Sequence, residues 1–140
     1  MAGVTIRFIP ADLIQRFERY PQKLDEEMER ATKAALAHVQ GSVPPYPPAP
    51  PNSSYVRTGT LGRSIGLGGQ AEIYTVEKMG GGWQAQLGTR LEYAPTVIGE
   101  SQGPAFSGRW WKLSDALNKA RPGIERIYAA MARRLVDWLD

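Results

Sequence analysis

Between Val43 and Pro51 the chain reads Val-Pro-Pro-Tyr-Pro-Pro-Ala-Pro-Pro, and six of its 11 prolines fall in this run. Proline has no backbone N–H, and its ring holds φ near about −65°. Such a run cannot be a central strand or a helix interior, and it prefers the extended polyproline II form. Asn52, Ser53 and Ser54 follow. Residues 41–56 therefore form one long irregular arm, which at ~3.1 Å per residue spans roughly 50 Å. Irregular stretches of this length inside compact domains are uncommon and are usually functional or disordered. One reading is a stiff linker or loop. A second is an arm lying on a neighbouring subunit, with Tyr46 and Tyr55 as anchors. Capture by a proline-binding adaptor domain is the weakest of the three. The arm is preferred, because a semi-rigid segment loses little entropy on docking.

The segments on either side are patterned. Val4-Thr5-Ile6-Arg7-Phe8-Ile9 alternates as a short strand. Leu13, Ile14 and Phe17 stand at helical spacing after Pro10. Pro21 suits the first turn of a second helix reaching Val39, with Leu24, Met28, Ala31, Ala35 and Val39 inward. Asp25, Glu26, Glu27 and Glu29 fall in its first half, where the helix dipole favours negative charge, and Gly41 is its stop.

After the arm, Thr58 is placed to cap a short helical turn with Leu61 and Ile65 inward. The segment 70–78 alternates as a strand, Gly80-Gly81-Gly82 turns the chain, and 83–88 alternates again with Trp83, Ala85 and Leu87 on one side. Together these predict a β-hairpin. Residues 93–98 form a short helix or an irregular turn, and 101–108 a loop. A helix is predicted over 110–119, and another starts at Pro122 with Ile124, Ile127, Tyr128, Met131, Leu135, Trp138 and Leu139 as its buried stripe. The fold class is α+β: a single domain over 1–140 in which N-terminal and C-terminal helices pack on one face of a small antiparallel sheet, with the long proline-rich loop between.

Chemistry is hard to find. The chain has no cysteine and one histidine, so thiolate and multi-histidine metal sites are excluded. His38 sits on a predicted helix with no serine elbow motif in the chain. The acidic cluster at 25–29 reads as a solvated helix turn. Gly66-Leu67-Gly68-Gly69 lacks the spacing of a phosphate loop. No catalytic, cofactor or metal residue is assigned. No apolar run approaches the roughly 20 residues of a membrane span, and no signal peptide is visible, so a soluble protein made in the cytoplasm is expected. The net charge is +3, and the whole excess falls after residue 108. Lys112, Arg121, Arg126, Arg133 and Arg134 are the candidates for contact with DNA phosphates, although a solvated helix face explains them equally well. Trp110-Trp111 is the one adjacent tryptophan pair. Neighbours on a helix point about 100° apart, so one of the two is expected near the surface or at a subunit contact.

The segment Thr58-Gly59-Thr60-Leu61-Gly62-Arg63-Ser64 resembles the Thr-Gly-x-Leu-x-x-Ser signature of the small head–tail joining (neck, or tail-completion) proteins of long-tailed bacteriophages. The order around it agrees over most of the chain: a helix and proline loop before, then a hairpin, Tyr93-Ala94, Pro104-Ala105-Phe106 and a final helix. Val97-Ile98-Gly99-Glu100 departs from the family's order, an alanine is inserted in the Pro-Phe element, and the proline loop is long.

The resemblance implies a non-enzymatic structural protein of the virion, assembled in the bacterial host cytoplasm and placed at the head–tail junction. It implies a homo-oligomeric ring, a hexamer by analogy, that lets DNA pass. Its neighbours would be a connector or head-closure protein and a tail terminator or tail tube. Thr58, Gly59, Leu61 and Ser64 would form the fold-defining turn. Pro44, Pro45, Tyr46, Pro47, Pro48, Pro50, Pro51, Tyr55, Trp110 and Trp111 are the subunit-interface candidates. The alternative is a basic DNA-binding module.

Overall fold

The computed structural model describes residues 3–8, 21–48, 59–80 and 82–139. In chain order these form β1 (Val4–Phe8), α1 (Pro21–Gly41), α2 (Thr60–Ser64), β2 (Ile73–Met79), β3 (Gly82–Thr89), α3 (Ala94–Ile98) and α4 (Leu113–Leu139). The architecture is the expected α+β. The helical stripe Leu13, Ile14 and Phe17 lies outside the described residues.

The sheet is antiparallel with order β1-β3-β2. Met79 pairs with Gly82, which sets the register of the hairpin. Gly80 has φ +49°, a conformation that glycine adopts without a Cβ penalty. Ile6 pairs with Leu87, Leu87 with Tyr74, and Ala85 with Val76, which sets one apolar face across three strands. Ala85 and Leu87 are fully buried there, in one cluster with Leu36 and Val39 of α1 and Leu113, Ala116 and Ala120 of α4. That face is the one the long helices cover.

Beyond the sheet, α1 and α4 continue as an antiparallel pair around a second cluster of Leu24, Met28, Ala31, Ala35, Tyr128, Met131 and Leu135. Ile124 packs against both clusters. Where the helices meet, a Cβ on Gly123 would stand 2.0 Å from His38 Nε2, so any side chain there has to displace the imidazole. All five inward positions expected for α1 are buried.

The C-terminal helices require a correction. Pro122, expected to open the last helix, lies inside α4, which runs unbroken from Leu113. Proline removes one N–H from the ladder, and the carbonyl of Asn118 loses its donor. Both residues are exposed, on the side of the helix where solvent can reach that carbonyl. The helix also starts later than expected. Asp115 Oδ2 accepts from the Lys112 N–H at 2.9 Å, a first-turn cap that fixes the start and leaves Trp110 and Trp111 outside.

Candidate functional site

The signature turn is α2 and the residues that hold it. Its N-cap is Gly59, at φ +78° and ψ 2°, with no side-chain cap. The sequence placed the capping role on Thr58, which lies outside the described residues. A capless helix leaves first-turn N–H groups without acceptors. Gly59 O accepts from Arg63 N at 3.0 Å. The Gly62 N–H donates instead to the Tyr46 hydroxyl at 2.7 Å. A Cβ on Gly62 would come within 3.1 Å of that ring, so glycine makes the room. Leu61 and Ile65 point into the core, as expected.

Ser64 ends the turn in a buried polar chain. Its hydroxyl lies 2.7 Å from both the Leu61 carbonyl and Thr89 Oγ1. Thr89 donates onward to Glu72 Oε1 at 3.0 Å and accepts from the Leu91 N–H at 3.2 Å. Each hydroxyl has one proton, so the two share them among the Leu61 carbonyl, the Glu72 carboxylate and each other. The chain fastens α2 to the end of β3 and the start of β2. Beside it, Gln40 closes the glycine-rich loop: Nε2 donates to Gly69 O at 3.1 Å, and Oε1 accepts from Ala71 N at 3.2 Å.

The described part of the proline arm lies on its own subunit. Val43 is buried, and the Tyr46 ring packs 5.1 Å from Trp110. Trp111 Nε1 donates to Pro45 O at 3.1 Å. Phe106 meets Trp110 edge-on at 6.4 Å. The Gln102 amide spans the carbonyls of Trp110 and Trp111, at 2.9 and 3.2 Å, and that of Val97 at 2.7 Å. Both tryptophans are half-buried, as are Pro44 and Pro47, while Pro48 is exposed. Pro50, Pro51 and Tyr55 lie outside the described residues. An open groove of about 360 Å³ remains beside this strap, lined by Pro45, Tyr46, Gly59, Gly62, Arg63 and Leu67.

The basic residues divide. Arg134 Nε pairs with Glu27 Oε2 at 3.2 Å, and Glu27, 4% exposed at its side chain, also holds Lys23 and Arg30 at 3.5 and 3.3 Å. Lys112 lies 3.8 Å from Glu100, and Arg121 hydrogen-bonds Asn118. Arg126 and Arg133 are exposed. Of the five, Arg134, Lys112 and Arg121 therefore have partners within the chain.

Several structural residues had no sequence signal. Gln40, Gln102 and Thr89 are single polar residues in no motif, and only their partners reveal them. Among the described residues no group of acidic, histidine or cysteine side chains could hold a metal ion. No helix among them is long and apolar enough to cross a membrane.

A family model described as "Bacteriophage HK97-gp10, putative tail-component" matches residues 11–97, a span containing α1, the signature turn and the whole hairpin. No curated protein and no solved structure matches the chain.

Proposed function

The chain belongs to the HK97-gp10-like family of bacteriophage tail components, and on that basis we propose that it is a neck subunit, completing the tail where it meets the head. A tail component is a structural part of the virion. In the finer reading, copies close a homo-oligomeric ring, six-fold by analogy, and DNA passes through its centre. A connector or head-closure protein lies on one side, a tail terminator or tail tube on the other.

The observation that carries this is the extent of the family match, which takes in the elements that pack together as α1, α2 and the hairpin. The surface at Pro44, Pro45, Tyr46, Pro47, Pro48, Trp110 and Trp111 is where neighbouring copies would meet. A ring of identical copies needs two different patches that fit each other, and a half-covered aromatic surface at one end of α4 suits one of them.

The test is electron microscopy of lysates from a phage genome in which this gene is deleted. Filled heads and separate tails are expected, with joining restored by supplying the protein. Joined, infectious particles without the gene would overturn the reading. The rival DNA-binding module draws on exposed Arg126 and Arg133. It would show itself as duplex binding by the purified protein that weakens steeply with added salt.

A further inference from the structure

We propose that the wet face of α4 is a contact surface for duplex DNA, which Lys119, Arg126 and Arg133 touch through its backbone phosphates. This deepens the reading above, in which DNA passes through the assembled neck, and it rests on that reading.

Helix geometry places the three cations together. They stand at intervals of seven residues, nearly two full turns, so they drift only about 20° per step and form one ridge. From Lys119 to Arg133 the ridge runs 14 residues, roughly 21 Å at about 1.5 Å per residue. The other side of α4, with Ala116, Ala120, Tyr128, Met131 and Leu135, is the buried one. All three cations are exposed, as are Pro122 and Ala129 between them. Among the described residues no ion pair or hydrogen bond engages any of the three side chains. Arg134, beside the ridge, is by contrast held by Glu27.

The order of charge excludes a second copy as the occupant. Asp115 lies four residues before Lys119 and Asp137 four after Arg133, so the face reads acid, base, base, base, acid. Laid antiparallel on itself, Arg126 meets Arg126, Lys119 meets Arg133 and Asp115 meets Asp137. Laid parallel in register, every residue meets its own kind. Both arrangements set like charge against like.

The ridge also lacks what a protein partner would use. Protein interfaces draw on buried aromatic anchors, and only Pro122 and Ala129 stand between these cations. A phosphate backbone asks for charge alone. Duplex DNA carries one phosphate per about 3.4 Å of axis on each strand, so cations spread along the helix meet anions without a fixed register. That suits DNA that has to slide.

Three contacts set the strength of the interaction. Affinity for duplex should fall as about the 2.7 power of salt concentration, roughly 40-fold between about 50 and about 200 mM. A dedicated binder with about six to ten contacts loses about a thousandfold or more over that range.

The test is fluorescence anisotropy of a labelled duplex with the purified full chain at those two salt concentrations. The shallow loss is expected, without preference among duplex sequences. Lys119→Gln, Arg126→Gln and Arg133→Gln together should lower affinity at the lower salt about tenfold or more while the protein melts as before. Removing equal charge elsewhere, by Lys33→Gln, Arg90→Gln and Arg109→Gln together, should leave affinity within about threefold. Arg126→Gln alone should reduce the salt exponent by about 0.9.

A wild-type chain that does not bind duplex overturns the proposal. So does equal loss in the two triple variants, because net charge then acts and not the ridge, and so does an unchanged exponent for Arg126→Gln. A ridge variant missing from particles, when the wild-type chain does not bind duplex, overturns it in favour of an acidic neighbouring protein. A thousandfold salt loss overturns it in favour of the rival module. Failure of the neck reading shows separately, as joined particles from the deletion phage.

Discussion

The Gly62 N–H and the Tyr46 hydroxyl are 2.7 Å apart, and the bond joins the proline strap to the first turn of α2 across 16 residues of chain. Gly59 offers no side-chain oxygen to cap that turn, so the phenol does the work of a capping side chain from outside. Tyr46→Phe is expected to cost about 1 kcal/mol and lower the melting temperature by a few degrees, although the ring still packs on Trp110. A melt matching the wild type would show that the cap carries no energy.

Gly59 itself sits at φ +78°. Side chains with a Cβ, above all branched ones, are strained there by roughly 1–2 kcal/mol. Gly59→Val should lower the thermal midpoint clearly, and Gly59→Asn should be milder because asparagine tolerates the left-handed region. Equal midpoints for the two would count against backbone strain.

Glu27 is nearly buried and gathers Lys23, Arg30 and Arg134, whose side chains are 30%, 68% and 49% exposed. Because the cations are partly solvated, their pull is reduced, and the larger cost arises when the carboxylate is removed from among them. Glu27→Ala is expected to lose about 2 kcal/mol in urea unfolding and Glu27→Gln about half that, since the amide still accepts from Arg134. A larger loss for glutamine than for alanine would refute the hydrogen-bonding account.

Ser64→Ala removes one hydroxyl from the chain through Thr89 to Glu72. The other bonds of Thr89 survive, so a loss of about 1 kcal/mol is expected. Ser64→Val fills similar space without a hydroxyl and should be worse, since it presents a branched apolar group to buried oxygens. Urea midpoints of the pair check the order.

Burial raises the pKa of Tyr128 above its ordinary value near 10, and the hydrogen bond with Thr32 partly opposes the shift. A raised acid keeps its proton longer in the folded chain than in the unfolded one. Its contribution is therefore complete below pH 10 and is lost as pH climbs from 10 through the folded value. Urea midpoints measured across that range should fall with pH, and Tyr128→Phe should flatten the fall.

Some of this was legible in the sequence because burial leaves a period. Leu24, Met28, Ala31, Ala35 and Val39 repeat with the helix and are buried, and Ala85 with Leu87 alternates with the strand. Pro122 misled for a local reason: the rule that proline starts a helix is silent on which side of the helix it stands, and on the wet side its missing N–H is tolerated. Trp110 and Trp111 read as helical because nothing in their own letters shows that Asp115 reaches back to Lys112. The sequence offers Tyr46 as an anchor for a neighbour, and its hydroxyl serves Gly62 of its own chain. The need it meets arises from an absent side chain at Gly59, and absence has no periodicity. The family signature pointed to the region around Ser64, while the partners Thr89 and Glu72 were found only through the fold.

The division of the core at Ile124 has a consequence for how the molecule breathes. The paired ends of α1 and α4 share a small apolar cluster, the Glu27 ion pairs, the Trp83 ring of β3 and the Asp25–Lys78 pair, whereas the sheet-side halves are packed against three strands. Amides in 24–31 and 128–135 should therefore exchange with deuterium together, through a partial opening of lower free energy than unfolding of the sheet. Pro122 and Gly123, at the boundary, are where such an opening would stop. A tail component built this way opens first at one end while its hairpin stays closed.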